Sequence, residues 1–197
     1  MKYWLTLYTL LLFQLVTASY PNLKFYHITH EQGLSQSTVN SILKDSDGFF
    51  WFCTNDGLNK WNGYNFKYYF HDDEDKNSLG LGRVNTIIED SEGTLWVGTN
   101  EGGLCKYIKE QDYFINYPLE KVVLSELEYN NVTSISEYDG NLLIGTFNKG
   151  VYVFNRKTEK YSKVELKLAD DAYIAPTDVK VFIDSDSTLW YGCSQGL

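Results

Sequence analysis

The sequence predicts an all-β fold built from a repeated unit of four short strands. A similar stretch recurs along the chain, anchored at Trp51, Trp96, Leu143 and Trp190 with spacings of 45, 47 and 47 residues. Aromatic residues make up 16% of the chain, a composition that favours strands over helices. The three prolines all lie outside the strand candidates. A period of this length in a strand-rich sequence is typical of β-propeller blades.

The second repeat shows the strand pattern of a unit most clearly. Val84–Glu89 is rich in β-branched residues, and the turn-forming residues 90–93 separate it from an apolar strand at 94–99. After residues 100–103, two further strands are expected at 104–108 and around 113–117. Glycine in the sequences Asp47-Gly48 and Glu92-Gly93 supplies the left-handed conformation of a tight turn, so we expect hairpins there.

The units together predict a β-propeller fragment of about three and a half four-stranded blades after a signal peptide, with repeats at 38–83, 84–131, 132–177 and a truncated 178–197. Residues 23–28 form a further strand candidate ahead of the first blade. Because three and a half blades fall short of the usual four to eight, we expect a piece of a longer protein that is marginally stable and self-associates when isolated.

The recurring Trp-x-Gly-Thr pattern has a packing interpretation. Trp51, Trp96 and Trp190 are expected to be buried, filling the gaps between tilted blades. Gly98, Gly145 and Gly192 each follow the anchor residue by two positions, where the backbone of a neighbouring strand is expected to approach closely.

Residues 1–19 differ from the rest of the chain. Lys2 precedes an apolar run, and the small residues Ala18 and Ser19 follow it, as in a secretory signal peptide cleaved after either of them. The run is too short to span a bilayer. We therefore expect an exported, periplasmic product.

Charge and cysteine content exclude some classes of function. The net charge of −9, with no basic cluster, makes nucleic acid an unsuitable partner. Cys53, Cys105 and Cys193 have spacings that fit neither a zinc site nor a redox pair, so we interpret them as small buried hydrophobic residues.

Several strings resemble two-component regulator propeller repeats. They are Gly33-Leu34-Ser35, Asp47-Gly48-Phe49-Phe50-Trp51, Asn55-Asp56-Gly57-Leu58-Asn59, Asn77-Ser78-Leu79 and Gly93-Thr94-Leu95-Trp96-Val97-Gly98-Thr99. The third repeat departs from the pattern with Leu143 in place of Trp, and the fourth lacks Gly after Asp186.

The resemblance implies a function as well as a fold. Such repeats form the periplasmic sensor of hybrid two-component receptors, which continue into a membrane helix, a histidine kinase and DNA-binding response-regulator modules. The ligand that the resemblance implies is an oligosaccharide. The implied partners of this segment are the remaining propeller blades of the parent chain, and a homodimer of the parent receptor is left open.

Catalytic and metal-binding alternatives fit the residues poorly. A sialidase needs three arginines, whereas the chain has two, Arg83 and Arg156. Glycosidase chemistry needs two opposed carboxylates, and matching loop positions are weak support for such a pair in Asp56 and Glu101. His27 and His30 lie in a strand-like stretch, and the acidic residues 72–75 lack the ligand spacing of a calcium loop. We predict no catalytic residue, metal or cofactor.

Ligand binding is the remaining function, and propeller ligands are expected at one rim. That rim is built by the loops between second and third strands and by the segments joining blades. Phe147, Ser194 and Gln195 lie in these loops. The candidate ligand-binding residues are Asn55, Asp56, Arg83, Asn85, Asn100, Glu101, Asn148 and Lys149.

Two hypotheses follow. In the first, the chain is a periplasmic, oligosaccharide-sensing propeller segment of a hybrid two-component receptor and is not itself an enzyme. In the second, it is an exported propeller scaffold for protein–protein interaction with no small ligand. A membrane helix and kinase downstream in the parent reading frame would favour the first.

Overall fold

A computed structural model describes residues 24–119, 130–165, 178–186 and 188–194. These residues form one short 3₁₀ helix, His30–Gln32, and fourteen strands. The predicted signal peptide lies outside the described residues. The strands are β1 Val39–Lys44, β2 Phe50–Thr54, β3 Leu58–Trp61, β4 Phe66–Tyr69, β5 Val84–Glu89, β6 Leu95–Thr99, β7 Leu104–Ile108, β8 Tyr113–Tyr117, β9 Val132–Tyr138, β10 Asn141–Thr146, β11 Val151–Asn155, β12 Lys160–Lys163, β13 Lys180–Ile183 and β14 Leu189–Gly192.

The strands form four antiparallel sheets in which chain neighbours pair with each other. Blade 1 contains β1–β4, blade 2 contains β5–β8 and blade 3 contains β9–β12, while β13 and β14 pair as the described part of blade 4. The predicted all-β propeller with four-stranded blades is therefore confirmed. In the first two blades, a bulge interrupts the register near the start of the innermost strand, between Val39 and Ser41 and between Val84 and Thr86.

Tight hairpins join the first and second strands of blades 1 and 2, as the sequence predicts. Gly48 and Gly93 adopt left-handed φ angles of 90° and 79°. Their N–H groups donate to the carbonyls of Asp45 and Asp90, at 3.0 and 2.9 Å. In blade 3 the turn is one residue shorter, and two consecutive residues, Asp139 and Gly140, adopt positive φ.

The hydrophobic core lies between the blades, because each sheet is apolar on both faces. The Trp51 side chain of blade 1 packs among residues of blade 2, and Trp96 of blade 2 packs among residues of blade 3. Both indoles are buried, with 0% and 2% of their surface exposed. Leu143, which replaces tryptophan in blade 3, is buried against Val179 and Val181 of blade 4. Each anchor residue is therefore covered by the blade that follows it.

The prediction that Trp190 is buried is wrong. Its side chain is 49% exposed, and Phe182 beside it is 60% exposed. These side chains lie on the face of blade 4 that, in earlier blades, packs against the next blade. The described residues contain no following blade, so nothing described covers Trp190 as blades 2 and 3 cover Trp51 and Trp96.

Residues 24–28 form no strand, contrary to the sequence prediction for 23–28. Thr29 instead caps the 3₁₀ helix, with its side chain accepting from the N–H of Glu31 while Gln32 bonds back to Thr29. A strand needs a partner for its backbone groups, and none of the described strands pairs with this segment. No helix among the described residues is long and apolar enough to cross a membrane.

The two recurring glycines Gly98 and Gly145 meet different atoms of the next blade. A Cβ atom at Gly145 would lie 2.5 Å from the carbonyl oxygen of Val179, which confirms the close backbone approach predicted there. At Gly98 the nearest atom of the next blade is a side-chain methyl of Val132, also at 2.5 Å. Cys53 and Cys105 are buried as predicted, whereas Cys193 is partly exposed because nothing described covers that end of blade 4.

Candidate ligand-binding rim

One edge of the propeller, here called the loop rim, carries all the candidate residues. It is formed by the β2–β3, β6–β7 and β10–β11 loops, together with the segments that lead into β5, β9 and β13. Antiparallel pairing places these connections at the same ends of the sheets. The opposite edge, the turn rim, carries the tight hairpins described above. The loop rim holds Asn55, Asp56, Arg83, Asn85, Asn100, Glu101, Asn148 and Lys149.

A buried threonine fixes the shape of each strand-joining loop at the loop rim. The Thr54 hydroxyl donates to the carbonyl of Gly57 at 2.9 Å and accepts from the N–H of Asp56 at 3.1 Å. Thr146 does the same in blade 3, donating to the carbonyl of Gly150 at 2.7 Å. This is the role of the threonine in the Trp-x-Gly-Thr pattern, which sequence reasoning missed. The loop tips are thus held in place before any ligand arrives.

Asn55 and Asp56 lie exposed at the tip of the blade 1 loop. The side-chain oxygen of Asn55 accepts from the amide of Asn40 at 3.0 Å. That same Asn40 amide donates across the blade boundary to the carbonyl of Val84 at 2.8 Å. The backbone carbonyl of Asp56 accepts from the hydroxyl of Ser35 at 2.7 Å, while its carboxylate faces solvent.

Arg83 and Asn85 lie at the entry to blade 2 and contact each other. The Nε of Arg83 donates to the side-chain oxygen of Asn85 at 3.0 Å. The amide nitrogen of Asn85 donates to Asn131 Oδ1 at 3.0 Å and to the carbonyl of Val132 at 2.8 Å, both in blade 3. Asn85 therefore joins two blades as well as orienting Arg83, and it occupies the same place in its strand as Asn40 does in blade 1.

Asn100 and Glu101 form the blade 2 loop and pack against the residues before β5. The N–H of Asn100 donates to the carbonyl of Arg83 at 3.0 Å, and its side-chain amide lies 3.2 Å from a carboxylate oxygen of Glu101. The side-chain oxygen of Asn100 is buried against Gly82 and has no hydrogen-bond donor among the described residues. The structure thus brings Arg83, Asn85, Asn100 and Glu101 together.

The blade 3 loop carries an aromatic side chain on a fixed backbone. The N–H of Phe147 donates to the carbonyl of Asn131 at 3.0 Å, and its carbonyl accepts from the N–H of Asp178 at 2.6 Å. Its ring is 38% exposed. Asn148 beside it is exposed and Lys149 is half-buried. In blade 4, Ser194 is exposed and Gln195 lies outside the described residues.

The turn rim has a different character, because its polar groups bond to one another. Asp45 and Asp90 accept the indole N–H of Trp51 and Trp96, at 2.7 and 2.8 Å. Asp184 accepts that of Trp190 at 2.6 Å. The spacing of six residues from aspartate to tryptophan recurs in three repeats and was the signal available in the sequence. Blade 3 lacks both members of the pair.

Glutamates tie the turns of consecutive blades together. The N–H and hydroxyl of Ser46 in blade 1 donate to the carboxylate of Glu89 in blade 2, at 2.7 and 2.5 Å. Ser91 in blade 2 makes the same pair of bonds to Glu137 in blade 3, both at 2.7 Å. These bonds use the polar groups of the turn rim for structure, which leaves the loop rim as the better candidate for binding.

Asp90 is the most enclosed carboxylate of the turn rim, with its side chain 1% exposed. Burial alone would raise its pKa, but hydrogen bonds from the Trp96 indole and the Thr94 N–H, together with Arg156, hold the pKa below its usual value. The guanidinium of Arg156 lies 2.5 Å from Asp90 and 3.0 Å from Glu137. Arg156 is 11% exposed and is therefore a structural residue.

The acidic residues 72–75 border a groove of about 760 Å³ outside the contact between blades 1 and 2. The carboxylates of Asp72 and Asp75 accept the backbone N–H groups of Glu74 and Asn77, both at 2.9 Å, as in ordinary turns. His27 lies in the irregular segment before the 3₁₀ helix, and His30 is the first residue of that helix. Among the described residues, no three His, Cys, Asp or Glu side chains come together to hold a metal ion.

Comparison with known proteins gives the repeats a name. A family model for the two-component regulator propeller matches residues 33–56 and 78–101, which span the first part of blades 1 and 2. This chain carries two-component regulator propeller repeats. Over 58 residues it is 45% identical to histidine kinase P4 of Formosa agariphila, a match that covers 29% of the chain and 4% of the kinase.

Several solved structures share the propeller fold of this chain. The extracellular domain assigned to a hybrid two-component system of B. thetaiotaomicron aligns with a TM-score of 0.66 and 23% identity, covering 87% of this chain and 29% of that one. A second extracellular domain from the same organism gives 0.65 and 23%, covering 90% and 25%. The WD40 propeller of Doa1 gives 0.61 and 12%, covering 81% and 49%. The chain thus spans under a third of the first two.

Proposed function

We propose that this chain is the ligand-sensing propeller segment of an exported hybrid two-component receptor, and that the segment itself is not catalytic. The repeats matched at residues 33–56 and 78–101 carry this proposal. The likeness to extracellular domains assigned to hybrid two-component systems supports it. The membrane helix, kinase and response-regulator modules belong to the proposed parent receptor, along with its remaining blades and its homodimer.

The ligand proposed for the loop rim is an oligosaccharide. Sugars present hydroxyl groups and flat apolar faces, and the rim offers amides, a guanidinium and the exposed ring of Phe147 on fixed loops. The side chains of the turn rim, by contrast, bond to each other. A fixed loop loses little conformational freedom on binding, which favours affinity.

The experiment is a calorimetric titration of the 197-residue chain with a panel of oligosaccharides. Phe147→Ala should weaken binding of any sugar that stacks on this ring by roughly tenfold, since aromatic contacts contribute about 1 kcal/mol or more. Tyr138→Ala is the matched control, because Tyr138 is a 46% exposed ring of the same blade at the turn rim. Equal losses of affinity in both variants, or no binding by the unsubstituted 197-residue chain, would contradict the proposal.

A protein-interaction scaffold is the alternative, and one observation favours it. Trp190 and Phe182 form an exposed apolar face at blade 4. Exposed apolar faces of this kind serve as protein-binding surfaces. If Trp190→Ser changes the sedimentation coefficient of the chain while no sugar binds, the scaffold is the better description.

Export to the periplasm is proposed from the signal-peptide pattern of residues 1–19. Mass spectrometry of the protein from a periplasmic extract should give a chain that begins at Ser19 or Tyr20. An intact Met1 in the membrane fraction would contradict it.

A further inference from the structure

Arg83 projects from the loop rim in a fixed orientation. Its Nε donates to Asn85 Oδ1 at 3.0 Å, and the amide of Asn85 is held in turn by Asn131 and the carbonyl of Val132 in the next blade. Toward the other described residues, the two terminal nitrogens of the guanidinium make no hydrogen bond or ion pair. Arg83 is exposed, so these nitrogens present their N–H groups to solvent.

The other arginine is used differently. Arg156 is 11% exposed and forms ion pairs with Asp90, Glu92 and Glu137. Lys180, at the entry to blade 4, donates to the carbonyl of Thr133 at 2.9 Å. Arg83 differs from both residues: among the described residues, only the Nε of its charged, planar guanidinium is hydrogen-bonded.

We propose that Arg83 binds an acidic group of the ligand, so that the receptor selects oligosaccharides bearing a carboxylate or a sulfate. This inference rests on the proposed function of the loop rim. A guanidinium offers two parallel N–H donors that match two oxygens of an oxyanion, and such charge-assisted pairs are roughly twice as strong as neutral hydrogen bonds. Asn85 holds the fork in place, which reduces the entropy lost on binding.

Long-range attraction does not explain such selectivity. The chain has a net charge of −9, and Glu101 on the neighbouring loop carries a further carboxylate near the rim. Both disfavour an anion at a distance. An acidic sugar is therefore held by direct contact with Arg83, and a cation elsewhere on the protein does not substitute for it.

The test uses titrations of the 197-residue chain with three classes of oligosaccharide: uronate-containing, sulfated and neutral. The unsubstituted 197-residue chain should bind one acidic class more tightly than the neutral sugars. Arg83→Gln should lower that affinity by about 10- to 100-fold, while Arg83→Lys should restore only part of it because lysine lacks the fork. The class that loses affinity identifies the oxyanion as carboxylate or sulfate.

Lys157→Gln is the matched control, since Lys157 is exposed on the turn rim and its loss changes the net charge equally. Its affinity should stay within about twofold of the parent. Tighter binding of neutral sugars, or equal losses in Arg83→Gln and Lys157→Gln, would overturn the role of Arg83 and leave the proposed sensor intact. Failure of all three classes to bind would overturn both.

Discussion

The hydrogen bonds that converge on Asp90 predict a large cost for replacing it with asparagine. The Oδ1 atom accepts the N–H groups of Glu92 and Thr94, which an asparagine oxygen would still do. The Oδ2 atom accepts Trp96 Nε1 at 2.8 Å and Arg156 Nη1 at 2.5 Å. In Asp90→Asn an amide donor would face these two donors, and the buried charge of Arg156 would lose its nearest partner.

The magnitude follows from these contacts. Losing a charge-assisted hydrogen bond costs about 1.5–3 kcal/mol, and a buried donor left without an acceptor costs about 1–3 kcal/mol more. We expect Asp90→Asn to lower the free energy of unfolding by roughly 3–5 kcal/mol. With a urea dependence of about 2 kcal/mol per M, the unfolding midpoint should fall by about 1.5 M or more.

Asp184→Asn is the matched control for this prediction. Asp184 makes the same contacts, with the Thr188 N–H on Oδ1 and the Trp190 indole on Oδ2, but it has no arginine partner and its tryptophan is exposed. Its effect on the midpoint should be much smaller. Urea titrations followed by circular dichroism would measure both variants. Equal shifts, or a shift below about 0.5 M for Asp90→Asn, would refute the reasoning.

Three further predictions concern pH, packing and thiol reactivity. The folded-state pKa of Asp90 lies below its unfolded value of about 3.9. The contribution of the Asp90 carboxylate to stability should therefore be complete above about pH 4 and be lost as the pH falls through the folded-state pKa. The melting temperature should decrease below about pH 4, and it should decrease less in Asp90→Asn. Gly145→Ala should lower the free energy of unfolding by about 1–3 kcal/mol in urea titrations, since its Cβ would meet a backbone oxygen at 2.5 Å; wild-type stability would contradict this. Burial raises the pKa of the Cys105 thiol to about 12, and Cys53 is equally buried. Cys193 alone of the three thiols should therefore react rapidly with a disulfide reagent at pH 8. Equal reaction rates for all three thiols would contradict this packing.

The repeat made the blade architecture predictable, because a period of 45–47 residues with four strand patterns fits few other folds. Burial of Trp51 and Trp96 followed from their position within the repeat. Trp190 has the same local sequence and a different environment, since its burial depends on residues one repeat further along. A residue's own repeat fixes its strand and face, but not whether that face is covered.

The candidate rim was predictable as a place and not as a set of contacts. Loop positions in the repeat correctly located Asn55, Asn100 and Phe147 at one edge. Nothing in the local sequence indicates that the Asn85 amide bonds to Asn131, because the two residues lie 46 positions apart and meet only after two blades pack. Whether Arg83 and its neighbours bind a ligand stays a prediction.

The ties between blades also bear on the order in which the chain can fold. Ser46 can form its hydrogen bond to Glu89 only after 43 further residues have been made, and Asn40 can bond to Val84 only after 44. A ribosome adds about 5–20 residues per second, so a newly made blade remains without its cover for roughly 2–9 s. During that interval its tryptophan face is accessible to chaperones or to other nascent chains. Each blade is covered when the next one has been made and has folded, so the blades become covered in the order of synthesis.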